Sequence, residues 1–310
     1  NRDGPESLYL LDLASGKALW DFSLQCDSGA FPGSRATPVV IEGKVYCMNR
    51  DGVAYCLDAL NGKLVWKSDV ASLAGAIKAE WGYSSSAVRF GDLLVFNVGA
   101  NGAAIRIKDG KLAWKSQINT NGYASAVPFT YKSQSLAFIF GSSRLHVINP
   151  QTGESLASVG WNTAYDVNSA DPLVVGSRVL VSSDYGKGAA CFEFDGKSLE
   201  KNWENKVIKS HFSSMVENGG YVYGNDGDAN ASSGSFVCLE FATGKEMWRQ
   251  TGGVGSLIAV GKQLLTLSER GRLALAEMNP KAYTELAFAA KVGTGPVSYT
   301  HLAGDSQMTL

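Results

Sequence analysis

The apolar positions of this chain fall in short runs rich in Val, Ile, Leu, Tyr and Phe, each closed by Gly, Asn, Asp or Ser. The clearest stretch is 36–70. It reads ATPVVI, the turn Glu42-Gly43, KVYCMN, the turn Arg50-Asp51-Gly52, VAYCLDAL, the turn Asn61-Gly62, and KLVWKSDV. β-Branched and aromatic runs bounded by turn residues predict four strands joined as a meander. No part of the stretch carries the 3.6-residue spacing of an amphipathic helix.

The pattern recurs along the chain. Gly-Lys-x-x-Trp appears at Gly16–Trp20, Gly62–Trp66, Gly110–Trp114 and Gly244–Trp248, with degenerate copies beginning at Gly153 (GESLA) and Gly196 (GKSLEKNW). The six glycines are 46, 48, 43, 43 and 48 residues apart. A period of roughly 40–50 residues marks stacked supersecondary units, and propeller blades are the expected form. Further units open at Tyr83, Tyr123, Tyr165, His211 and near Gly255; the first shows only its outer half, Leu8 to Leu24. Five of the seven tryptophans close a unit, namely Trp20, Trp66, Trp114, Trp203 and Trp248. A flat side chain at the same place in each unit suits packing between neighbouring blades rather than ligand binding. After Val297 the pattern stops. Residues 298–310 (SYTHLAGDSQMTL) read as an atypical, non-native tail, and Asn1-Arg2-Asp3-Gly4 repeats the form of Asn49-Arg50-Asp51-Gly52. The expectation is one all-β propeller domain over 1–297, incomplete at both ends.

Composition narrows the function classes. The 310 residues carry a net charge of −1 with 18% charged side chains, and the longest basic clusters are small groups such as Lys206–Lys209. A nucleic-acid partner is not expected, since phosphate binding needs a basic excess. No apolar run is long enough for a membrane-spanning helix. Five cysteines, Cys26, Cys47, Cys56, Cys191 and Cys238, form no CxxC, so neither a zinc site nor a disulfide framework is indicated. If Asp51-Gly52 is a two-residue hairpin turn, Cys47 and Cys56 face each other. That pair reads either as a disulfide or as two small buried hydrophobes.

The repeated [Asn/Ser/Thr]-Gly-Lys-x-x-Trp ending, after an Asp-Ala or Glu-Phe strand, resembles the tryptophan-docking repeat of the quinoprotein-like (PQQ-like repeat) β-propellers. The likeness covers about Leu8 to Val297, and the run Trp161 to Tyr185 is most similar to uncharacterised secreted bacterial members. It implies four-stranded blades, eight in the family against seven units visible here, and a place in the periplasm or outside the cell. The superfamily also includes pyrroloquinoline quinone (PQQ) dehydrogenases. Membership of that branch would imply vicinal cysteines, a calcium held by Glu, Asn and Asp, and an Asp base. The chain has no adjacent cysteines and lacks long insertions.

Motifs for catalysis are sparse. The cluster Asn225-Asp226-Gly227-Asp228 alternates oxygen ligands but has no Glu at calcium-loop spacing, so a solvated turn is the competing reading. Three histidines are present, His146, His211 and His301, with no Gly-x-Ser-x-Gly. Gly252-Gly253-Val254-Gly255 lacks the Lys-Ser/Thr of a phosphate loop. Topology supplies the remaining argument. In a four-stranded blade, inter-blade connections and the turns between strands two and three share one end, away from the Gly-Lys turns. That end collects Arg50, Asp51, Trp81, Tyr83, Tyr123, Trp161, Phe212 and Glu269, and its most varied part is Tyr165, Asp166, Asn168, Asp184, Tyr185, His211 and Asn225. Aromatics mixed with polar groups suit a binding face, and the competing reading is that they fill wedges between strands. Two functions follow. One is a non-catalytic envelope scaffold that binds a protein, peptide or glycan, with no cofactor. The other is a PQQ- and calcium-dependent oxidoreductase.

Overall fold

The computed structural model describes residues 6–27, 34–78, 80–227, 234–252, 255–268 and 270–292. The tail 298–310, Glu269, Asp228, Gly253, Val254, His301 and the Asn1–Gly4 segment lie outside the described residues. Within them the chain is all-β, built of antiparallel meanders in chain order. The first sheet has two strands, β1 (Glu6–Leu11) and β2 (Ala18–Leu24); six sheets of four follow. They comprise β3 to β6 (Val39–Ile41, Lys44–Met48, Val53–Asp58, Leu64–Asp69), β7 to β10 (Val88–Phe90, Leu93–Phe96, Ala103–Arg106, Leu112–Lys115) and β11 to β14 (Val127–Tyr131, Gln134–Phe140, Arg144–Ile148, Ser155–Gly160). The remaining three are β15 to β18 (Leu173–Val175, Arg178–Ser183, Gly188–Phe194, Leu199–Asn205), β19 to β22 (Val216–Asn218, Tyr221–Asp226, Ser235–Glu240, Glu246–Thr251) and β23 to β26 (Gly255–Val260, Gln263–Ser268, Leu273–Glu277, Glu285–Ala289). One short helix, α1 (Val70–Ala74), follows β6, capped by Asp69 and ended by Gly75 in the left-handed region.

Two compact units are present. One runs to Pro128 and resumes over Gln134–Trp161; the other comprises Phe129–Ser133 and the chain from Asn162. In neither is there one central core. Apolar clusters lie between successive sheets, such as Tyr46, Met48 and Cys56 with Leu94, Phe96 and Ile105, or Leu180 and Cys191 with Val222 and Leu239. The middle strands are therefore buried on both faces and read as continuous apolar runs, like β8 and β4, whereas outer strands such as β6 alternate.

The Gly-Lys-x-x-Trp motif works as two complementary halves. The indole N–H of Trp20 donates to Ala59 O, of Trp66 to Ile107 O, of Trp114 to Pro150 O, of Trp203 to Phe241 O and of Trp248 to Asn279 O, all at 2.8–3.0 Å. Each ring lies against the turn of the following sheet. A Cβ on Gly62 would stand 2.7 Å from the Trp20 ring, and Gly62 also sits at φ +67°, so glycine is required twice over. A β-bulge just before each of these five tryptophans shifts the register, for example opposite Cys56 and Leu57, and re-aims the indole. The fourth sheet has Ala157 at this place. Tyr131 serves Gly196 instead: its hydroxyl donates to Asp195 O at 2.5 Å and its ring lies over the glycine.

The Cys47–Cys56 pairing is corrected. Gly52 N bonds Asn49 O and Asn49 N bonds Val53 O, which makes the turn wider than two residues. The register then pairs Cys47 with Tyr55 and Cys56 with Tyr46. A slip of one residue sends neighbouring side chains to opposite faces. Cys47 packs with Leu24 and Tyr55, Cys56 with Met48 and Leu94, and both are free thiols. Burial pushes the Cys47 thiol up to about 12.

Candidate functional site

The connections that enter three of the sheets are anchored by one repeated hydrogen bond. Two residues before the first strand, Thr37 N donates to Ser86 Oγ (3.0 Å), Ser86 N to Ser125 Oγ (3.1 Å) and Asp171 N to Ser214 Oγ (3.2 Å). Counting back from these residues places Asn168, not Tyr165, at the position of Tyr83 and His211. The sequence pattern aligned Tyr165 there because it, too, is an aromatic near a strand start. Tyr165 belongs instead to an added turn.

Three of the seven candidate residues act as latches. Asn225 is buried; its amide nitrogen donates to Gly255 O at 2.6 Å, and its backbone N–H donates to Ser210 Oγ at 3.1 Å. Asn97, two residues past the strand-two partner of its sheet's opening valine just as Asn225 is, does the same work. It donates to Ala124 O and Phe140 O, and its N–H meets Ser85 Oγ. Repetition at an equivalent register marks scaffold. Asn168 is buried and accepts from Ser183 Oγ at 2.7 Å. Asp184 is buried too; its carbonyl accepts from Lys187 N at 3.2 Å and so closes the β16–β17 turn.

The other four form a separate group. Tyr165 lies in the short turn Ala164–Asp166 at φ 65°, ψ 12°, followed by Asp166 at φ 55°; Tyr185, in the β16–β17 turn, sits at φ 57°. A bulky side chain in the left-handed region costs on the order of 1–3 kcal/mol, and such outliers cluster at ligand clamps and switch regions. The Tyr165 and Tyr185 rings meet edge to face at 5.3 Å, Tyr185 meets His211 at 5.0 Å and 83°, and His211 meets Phe212 at 4.0 Å and 50°. The run starts in the interior and ends in solvent: His211 is buried, Tyr185 is 42% exposed and Tyr165 70%. Asp166 is exposed beside it. Neither the left-handed tyrosines nor the ring-to-ring brace has a signature in the sequence beyond Tyr185 preceding Gly186.

Elsewhere at this end of the sheets the aromatics are packing. Tyr83, Tyr123 and Trp161 are buried, and Trp81 lies half-buried on Tyr123 at 6.2 Å. Arg50 is buried, its backbone N–H donating to Glu6 Oε1, and Asp51 is engaged by Lys78 and by Asp27 N. Asp226 is clamped between Lys209 and Arg249, which occupies both carboxylate oxygens. A carboxylate already neutralised by two cations is a poor calcium ligand. Among the described residues no three His, Cys, Asp or Glu side chains converge. With its carboxylate clamped and its amide latched, the Asn225–Asp226 pair does not fit the calcium of a quinone site.

Comparison with known proteins gives a consistent relationship. The family described as outer membrane protein assembly factor BamB matches residues 4–250. BamB from Moraxella catarrhalis superposes with a TM-score of 0.64 at 14% identity, covering 93% of this chain and 91% of that one. A europium-containing methanol dehydrogenase superposes with a TM-score of 0.62 at 12% identity, over 92% of this chain and 75% of the other. These likenesses establish the fold as a β-propeller. In sequence, the chain is 34% identical over 156 residues to the quinohemoprotein alcohol dehydrogenase ADH-IIG of Pseudomonas putida, which spans 48% of this chain and only 20% of that enzyme.

Proposed function

The chain belongs to the family described as outer membrane protein assembly factor BamB, and we propose from this that it acts as a non-catalytic binding scaffold in the bacterial cell envelope. It meets a protein, peptide or glycan through the end of its sheets that carries Tyr165, Asp166 and Tyr185. The observation that carries this reading is the contrast within that end: the latch residues are buried, while the strained tyrosines are exposed. Exposed tyrosines on a rigid frame are the residue type that concentrates binding energy at interfaces. No helix among the described residues is long and apolar enough to cross a membrane.

The second reading, a PQQ- and calcium-dependent oxidoreductase, draws on the sequence likeness to the quinohemoprotein dehydrogenase. Against it stand the clamped Asp226 and the absence of vicinal cysteines. One experiment separates the two. The full chain is incubated with PQQ and calcium chloride, desalted, and assayed for quinone absorbance and dye-linked alcohol oxidation. The scaffold reading expects neither a retained chromophore nor turnover; a stoichiometric chromophore with turnover would replace it with the enzyme.

A further inference from the structure

We infer that Tyr165 is a pre-organised aromatic anchor that seats in an apolar pocket of a folded protein partner, an inference that rests on the binding reading of this end of the sheets. Three observations carry it. First, the ring projects: it is 70% exposed although Val167 and Asn168, two and three residues further along the chain, are buried. Second, it is held in place. The left-handed turn fixes its backbone, Thr163 Oγ1 ties the loop by donating to Val167 O at 3.0 Å, and Tyr185 braces the ring from the side while itself resting on buried His211. A side chain whose position is fixed before binding loses little entropy on association, which is how tyrosine serves as a rigid anchor. Third, the rings share no plane. Successive interplanar angles of 66°, 83° and 50° leave no common surface on which a flat ligand or a run of sugar rings could stack. A convex anchor is desolvated only by a concave partner, and pockets deep enough to take a tyrosine are properties of folded proteins. Asp166 adds an exposed carboxylate at the base of the ring, so a pocket with a cationic rim is the complementary surface.

Tyr185 and His211 are then positioning residues. The test uses the full chain with p-benzoylphenylalanine at position 165 in its native cells, with the same group at Leu13 as the control, a site fully exposed at the opposite, Gly-Lys end of a blade. Irradiation should give a discrete protein-sized adduct from position 165 and none from position 13. The crosslinked protein, identified by mass spectrometry and purified, should bind the unmodified chain. That binding should weaken by about 30-fold or more with Tyr165→Ala, the loss typical of an interface hot spot. Tyr185→Ala should weaken binding measurably without removing Tyr165, Tyr165→Phe should restore most of it, and each variant should keep the parent melting temperature within a few degrees. A heat-denatured partner should not bind. If the adduct is a glycan or a short peptide, or if denatured partner binds as well as native, the folded-pocket inference is overturned while the surface stands as a binding site. If position 165 gives no more adduct than position 13, both the inference and the binding reading of this end are overturned.

Discussion

The two compact units carry the same kind of residue at the same end of their sheets in opposite environments. In the unit that ends at Trp161, Tyr83 and Trp161 are almost fully buried and Tyr123 nearly so. A Cβ on Gly52 would collide with the Tyr83 ring at 2.9 Å, so this tyrosine fills a closed space. In the unit that continues from Asn162, the equivalent position holds Asn168, and the aromatic character has moved three residues earlier, onto a strained turn in solvent. The contrast shows that aromatic content at a blade end is uninformative until the backbone is known. The same residue type is buried or exposed according to whether the connection hugs the sheet or loops away from it.

The contrast can be broken most directly by truncation. Tyr83→Ala should cost about 3–5 kcal/mol in urea unfolding, as for other buried aromatics, while Tyr165→Ala should stay within about 0.5 kcal/mol of the parent. Equal losses would show that Tyr165 is packing after all. A second difference concerns histidine. His146, in the first unit, is buried with Nδ1 on Ser155 Oγ at 3.1 Å, and desolvation lowers its pKa from 6.5 to about 4. The unfolded chain binds the proton more tightly than the folded one between those values. The stabilisation is therefore complete above about pH 6.5 and is lost as pH falls towards 4, by about 3 kcal/mol in all. His146→Leu should flatten that slope, measured as urea midpoints from pH 7 to pH 4; an unchanged slope would place the acid sensitivity in another group. The smallest effect is the most specific. Tyr165→Gly should raise stability by about 0.5–1 kcal/mol, because glycine accepts the left-handed conformation that tyrosine does not. A loss of stability there would mean that the Tyr185 brace contributes more than the turn costs.

Much of the architecture was legible from residue pattern. The meander of residues 36–70 and the succession of four-stranded units follow from short apolar runs and a repeated turn, because those features are local or periodic. The Cys47–Cys56 register was misjudged by one residue. Asp51-Gly52 looks like a two-residue turn, yet Asn49 Oδ1 accepts from both Asp51 N and Val53 N and widens it. The Tyr131 substitution at Gly196 was not visible either, since it lies 65 residues away in the chain and departs from the motif. Of the candidate face, Tyr165, Asp166 and Tyr185 reach solvent, whereas Asn168, Asp184, His211 and Asn225 are buried. A polar or aromatic letter in a connection does not record the direction of its side chain.

Repetition of Gly-Lys-x-x-Trp specified that this chain folds as a propeller, because an intact copy carries both an indole and the glycine that receives the preceding copy's indole. A self-complementary motif encodes its own stacking, and that information is present in one dimension. Which residues are left for function is a different matter. It depends on backbone conformations at Tyr165 and Tyr185, on a ring brace between loops twenty and more residues apart, and on amides drawn inward to tie one sheet to the next. Those are outcomes of packing in three dimensions, where burial and exposure are assigned by neighbours that the local sequence does not name.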